Sequence, residues 1–141
     1  MPFRLLIALV SMALVVPAVM AGWSAADYMQ TESRIQSELS RVVVAAQRYL
    51  QAGSGGEVVD VSFRGGTFTR VEYVVFGGDQ DQGPGRDVRY KLTGGLEELL
   101  ISRNPSVPFG SADGSSLKLP EGRYSLLVEC NDGSSITLSV V

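Results

Sequence analysis

Two aspartates set two apart and followed by a glycine, Asp79-Gln-Asp81-Gln-Gly83, have the spacing of metal ligands. Carboxylates at i and i+2 before a glycine make a fragment of a calcium loop, in which hard oxygens surround the ion and the glycine allows the sharp turn. A complete site takes about six to eight oxygens. In the EF-hand pattern the bidentate glutamate would fall on Tyr90, so Asp79 and Asp81 read either as ligands of a weakly held divalent ion or as a solvated polar loop between strands. No other pattern in the chain requires a cofactor.

The remaining reactive side chains point away from catalysis. The chain has no His, which removes Ser-His-Asp and Cys-His nucleophile schemes and every His-ligated metal. Cys130 is the single cysteine, so there is no intrachain disulfide. It alternates with Leu126 and Val128 on an inward face, where a thiol acts as a small hydrophobe, and the neighbouring Glu129 and Asp132 disfavour a thiolate. Glu97 and Glu98 are adjacent, and strand neighbours point to opposite faces, so they do not form a two-carboxylate catalytic pair. Glu98 instead marks an edge strand carrying an inward charge. Arg64, Arg70, Arg86, Arg89 and Lys91 are interspersed with Asp60, Glu72, Asp79, Asp81 and Asp87 and read as a solvated face, with no nucleic-acid-binding motif. Gly53-Ser-Gly-Gly56 follows a helix instead of opening one, so it is no phosphate cradle. These residues predict a protein that is not an enzyme.

What must position such residues is set by the rest of the chain, which has 141 residues, a net charge of -3 and 45% hydrophobic residues. Leu5–Ala26 holds 22 residues without a charge. As a helix it rises about 33 Å, enough to cross a hydrocarbon core of about 30 Å. Two readings fit it. As a signal peptide it has a short positive start at Arg4, an apolar stretch over Leu5–Val16 and a small-x-small cleavage pattern in Val19-Met20-Ala21. As an uncleaved anchor it places Trp23 and Tyr28 at the outer interface.

The residues that follow favour the anchor. Asp27–Ala52 contains no Gly or Pro, and its apolar residues recur at Tyr28, Ile35, Leu39, Val42, Ala46 and Tyr49, one helical stripe. Glu32, Arg34, Gln36, Ser37, Ser40, Arg41, Gln47 and Arg48 lie on the opposite side, and Glu38 and Arg41 are spaced to pair. Gly53 suits the left-handed cap. A helix from about Leu5 to Ala52 is thus interrupted only by Pro17 and Gly22, both tolerated in membrane helices. Ile35, Leu39, Val42, Ala46 and Tyr49 need a cover. The head is expected over the C-terminal half, and neighbouring copies of the helix around Ile35.

From Glu57 the period changes to two. Val59-Val61-Phe63, the run Thr67–Phe76, Val88-Tyr90-Leu92, Leu96–Ser102, Leu117-Leu119, Tyr124–Cys130 and Ile136-Leu138-Val140 read as about seven strands, separated mostly by Gly, Pro, Asn or Asp turns. No helical pattern lies between them, so an antiparallel arrangement is expected. The fold class is α+β: a membrane or signal segment over 1–26, an amphipathic helix over 27–52 and a sandwich head over 57–141. Leu119-Pro-Glu-Gly-Arg-Tyr124 has the form of an immunoglobulin-like strand entry, with Tyr124 as a corner tyrosine bonding back to upstream backbone.

This layout, with Leu5–Ala26 apolar, Asp27–Ala52 amphipathic and Glu57–Val141 rich in strands, resembles the archaeal type IV pilin-like proteins and archaellum-type accessory proteins. The resemblance implies a subunit anchored in the membrane by its apolar helix, single-pass, with the C-terminal head outside the cell, associating with itself or with other pilin-like subunits of a surface filament. The alternative is a secreted β-sandwich released by cleavage after Ala21, binding a glycan or a divalent ion.

Overall fold

The computed structural model describes residues 2–77, 88–99, 108–111, 115–131 and 133–141. Asp79 and Asp81 lie outside the described residues.

One helix, α1, runs without a break from Pro2 to Ala52, with Pro17 inside it. Its 51 residues correspond to a rod of about 77 Å. It stops at Gly53, whose positive φ of 85° is the left-handed conformation glycine adopts without steric cost. The Gly53 amide donates to the carbonyls of Tyr49 at 3.0 Å and Leu50 at 3.3 Å, closing the last turn as expected for a glycine cap.

Eight strands follow among the described residues: β1 (Gly55–Phe63), β2 (Val71–Phe76), β3 (Val88–Leu92), β4 (Glu98–Leu99), β5 (Phe109–Gly110), β6 (Leu117–Leu119), β7 (Gly122–Cys130) and β8 (Ile136–Val140). They form two four-stranded sheets, ordered β1-β7-β8-β5 and β4-β3-β2-β6. Strand β1 pairs with β7 along its whole length, from Gly55 opposite Cys130 to Phe63 opposite Gly122. The α+β class holds. The expectation of antiparallel pairing throughout does not, because β5 runs parallel to β8 through Phe109–Ile136 and Gly110–Thr137. Two residues behind Pro108 carry too short a pattern to be read as a strand, and among the described strands β8 is the one that gives their backbone a partner.

Three further differences have local causes. Strand β1 starts within the glycine run, since Gly56 lies so close to β7 that a Cβ there would press on the Val128 carbonyl. Residues 67–70, expected to open a long strand, form a loop fastened to Asp27. In β2 the strict alternation fails: a bulge between Val71 and Tyr73 turns Val71 to the side of Val74 and Phe76, and these three enter the core.

The core joins the helix to both sheets. Ile35, Leu39, Val42 and Ala46 are fully buried with Val59, Val61 and Phe63 of β1, Leu126 and Val128 of β7, and Val74, Phe76, Tyr90 and Leu92 of β2 and β3. The inward residues expected from alternation in β1 and β3 are all found inside, as are Leu126, Val128 and Cys130 of β7 and Ile136 and Leu138 of β8, whereas Tyr124 is half-buried and Val140, at the end of the last strand, is exposed. Tyr49 is half-buried against the same cluster. The cover over the stripe is the chain's own head, and it extends to Ile35 and one turn beyond to Thr31, farther toward the N-terminus than the short Gly53–Gly56 connection implies. The reason is that β1 runs back along the helix. Arg48 meets Glu57 at 3.5 Å, Glu38 accepts from the Ser62 amide at 3.2 Å, and Asp27 takes up the loop after β1.

Candidate membrane segment and helix–head junction

Every residue from 2 to 26 is exposed. The most apolar 18-residue window of α1 has a mean hydropathy of 2.5 and no buried residue. Leu5, Leu6, Ile7, Leu9 and Val10 are all exposed, and successive helix positions differ by about 100°, so apolar side chains face every direction. A water-facing helix keeps a polar side, whereas one that is apolar all round is suited to lipid or to a protein interior. This is one helix near the N-terminus that is long and apolar enough to cross a membrane.

The character of the helix changes at Asp27. Its carboxylate accepts three backbone hydrogen bonds, from Thr67 at 3.0 Å, Phe68 at 2.9 Å and Thr69 at 2.8 Å. The bond from Phe68 above all, with those of Thr69 and Thr67, holds the carboxyl below its usual range, although partial burial opposes them. The loop must bring its backbone against the helix to do this. A Cβ on Gly66 would run into the Asp27 carboxylate, so the Gly65-Gly66 pair serves the junction as well as the turn. One residue on, Tyr28 packs against Gly95 in the turn after β3. Burial, then the charges of Glu98 and Glu32, push its hydroxyl above the usual range.

Farther along the helix, a polar cluster is gathered on Tyr90 of β3. Its ring is buried, and its hydroxyl lies 3.0 Å from Glu32, 2.8 Å from Glu98 of β4 and 2.8 Å from the amide nitrogen of Gln36. Gln36 donates to the phenol oxygen, and the single phenol hydrogen can satisfy one carboxylate at a time. The two carboxylates therefore compete for that hydrogen. The hydrogen bond to Glu98, with burial, holds Glu32 above its usual 4.5. The bonds from Glu32 and Tyr90 hold Glu98 below it. Burial keeps the Tyr90 phenol neutral by raising its pKa. What this arrangement does is fasten the helix to the edge of the second sheet, since β4 pairs only with β3 among the described strands.

The residues expected to matter fall as follows. Tyr124 donates its hydroxyl to the Pro120 carbonyl at 2.8 Å, a corner bond reaching four residues upstream. Cys130 is buried, with its sulfur 3.8 Å from the Gly53 carbonyl. Glu97 and Glu98 diverge: Glu97 bonds Arg89 at 3.1 Å and the Tyr73 hydroxyl, while Glu98 faces the helix. Of the basic residues, Lys91 pairs with Glu72 at 3.0 Å and Arg70 with Glu121 at 3.6 Å. Among the described residues no three acidic or cysteine side chains gather where they could hold a metal.

Glu32, expected on the solvent side, is half-buried at the junction, whereas Gln36 keeps its exposed position and reaches Tyr90 only with its amide. The available signal was the position of Glu32, four after Tyr28 and three before Ile35, on the margin of the apolar stripe. An open groove of about 840 Å³ runs between α1 and β1, lined by Ser37, Arg41, Val44, Arg48, Val58 and Asp60. Its two arginines are each taken up by a glutamate, Arg41 by Glu38 at 3.3 Å and Arg48 by Glu57 at 3.5 Å. No protein family, curated protein or solved structure matches the chain.

Proposed function

We propose that this chain is a non-enzymatic, membrane-anchored extracytoplasmic protein, a pilin-like subunit or accessory of a surface filament. Residues 5–26 form its single-pass anchor and the head lies outside the cell. One observation carries the reading: a single continuous helix is exposed and apolar on every side up to Ala26, then packed against the head from Asp27 onward. An apolar surface of that size is out of place in water and fits a bilayer or a bundle of like helices. The head is an immunoglobulin-like sandwich in this reading, supported by two four-stranded sheets around one core and by the corner bond of Tyr124. Ile35, Leu39, Val42 and Ala46 are spent inside the subunit, so contacts with other subunits fall to residues 5–26 and to the head's outer surface.

The secreted alternative has its own support, because a cut after Ala21 would spare every contact described from Asp27 onward. Intact mass of the native protein decides between them. A full-length chain that stays in the pellet after carbonate extraction bears out the anchor. A soluble species beginning at Gly22 replaces it with the secreted module.

A further inference from the structure

The rim of the head nearest the apolar segment carries large hydrophobic side chains with no cover. Two separate loops contribute. The loop of residues 64–70 is bound to Asp27 and bears Phe68, 47% exposed. The turn of residues 93–97 is the next connection over: the Thr93 amide donates to the Arg70 carbonyl at 2.8 Å, and Gly95 packs on Tyr28. It bears Leu96, at 83% the most exposed large hydrophobic residue among those described. Both loops are thus fixed to the first two residues after the apolar segment. On the helix itself, Trp23 and Met29 are exposed just before and just after that level.

Resting on the anchor reading above, we propose that Phe68 and Leu96 dock into the interfacial layer of the bilayer, so that the head sits on the membrane surface. Continuity argues for lipid as the occupant. Residues 5–26 account for about 33 Å of rise against a hydrocarbon thickness of about 30 Å, which puts Asp27 and both loops at the headgroup level. Charge argues the same way. The acids of this rim are each held by the head: Asp27 by three amides, Glu121 by Arg70 and the Gly65 amide, and Glu97 by Arg89 and Tyr73. A protein that buries apolar side chains at the boundary of headgroups and acyl chains gains in proportion to the apolar area removed from water.

The test uses the full chain with Cys130→Ala in vesicles of phosphatidylcholine with a minority of phosphatidylglycerol. Single spin labels are placed at Met12→Cys, Val58→Cys, Phe68→Cys and Leu96→Cys, and collision with oxygen is compared with collision with a water-soluble nickel chelate. Val58 is exposed on the groove far up the head and supplies the aqueous reference. Docking puts the oxygen-to-nickel ratios at 68 and 96 between those at Met12 and Val58. Ratios at both loops equal to Val58, with Met12 lipid-exposed, overturn the docking and leave the anchor standing. A water-exposed Met12 overturns both. Labels at 68 and 96 shielded from both reagents, in a manner that depends on protein density, overturn the docking in favour of a second copy. If the label at 68 lowers the melting temperature, the more exposed Leu96 decides the test alone.

Discussion

Residues 2–26 and 27–52 belong to one helix, share its geometry and differ in what surrounds them. The first half is apolar on every side and touches none of the head's buried core. The second is apolar along one stripe, and that stripe is sealed under two sheets while its flank is pinned through Asp27, Tyr28, Glu32 and Gln36. Composition around the helix circumference separates the two roles. A full apolar circumference demands a medium, whereas a stripe demands one partner surface. The head supplies that surface because β1 returns antiparallel to the helix and delivers its following loop to Asp27.

Charge placed in each half breaks different things. Leu39→Asp puts a carboxylate at a fully buried site facing both sheets. An uncompensated buried charge costs about 3–5 kcal/mol, a large share of the roughly 5–15 kcal/mol that holds an ordinary domain folded. The cooperative melt of the full chain in detergent, followed by circular dichroism, should move down by more than about 10 °C. Met12→Arg should leave that melt untouched and impair membrane retention, since a charge at the centre of a spanning helix costs about 2.5–3.5 kcal/mol on insertion. Carbonate extraction of native membranes reads it. A variant at Met12 that lowers the head's melting temperature as far as Leu39→Asp does would abolish the distinction between the halves.

Within the head, Tyr124→Phe removes only the hydroxyl bonded to Pro120 and should cost roughly 1 kcal/mol, seen as a modest shift in urea midpoint at constant slope. An unchanged midpoint would reduce Tyr124 to a packing residue.

The smallest effect is a pH dependence of the junction. Glu32 is held above its usual 4.5, so its contribution is complete below that value and is lost as pH rises through its folded pKa. Glu98 is held lower, so its contribution is present above 4.5 and is lost as pH falls through its folded pKa. Among the described residues, the groups shown facing the pair are Tyr90, Gln36 and Tyr28, none of them cationic. The helix is therefore fastened best between the two pKa values, with Glu32 protonated and Glu98 ionised. Glu32→Gln keeps a neutral donor in place and should flatten the decline in melting temperature as pH rises above 4.5 while leaving the acid side intact. A decline equal to wild type would assign it to other groups.

Much of this was legible before any coordinates. A run of 22 uncharged residues, a stripe at helical spacing, a glycine cap and strands with alternating faces are local patterns, and local backbone preferences and periodicity are enough to impose them. The fastening at Tyr90 was not, because Glu32, Gln36, Tyr90 and Glu98 are up to 66 positions apart (98 minus 32). Only the return of β1 along the helix and the place of β4 at a sheet edge bring them to one hydroxyl. The same holds for the bulge that moves Val71 inward and for the short parallel strand at Phe109, where a neighbouring strand, and not the residues' own preference, decides the conformation. Sequence alone determined which surfaces are apolar, since side-chain chemistry and periodicity reside in the residues themselves. Tertiary structure decided which of those surfaces the chain covers for itself, since covering requires segments distant in sequence to arrive at the same place.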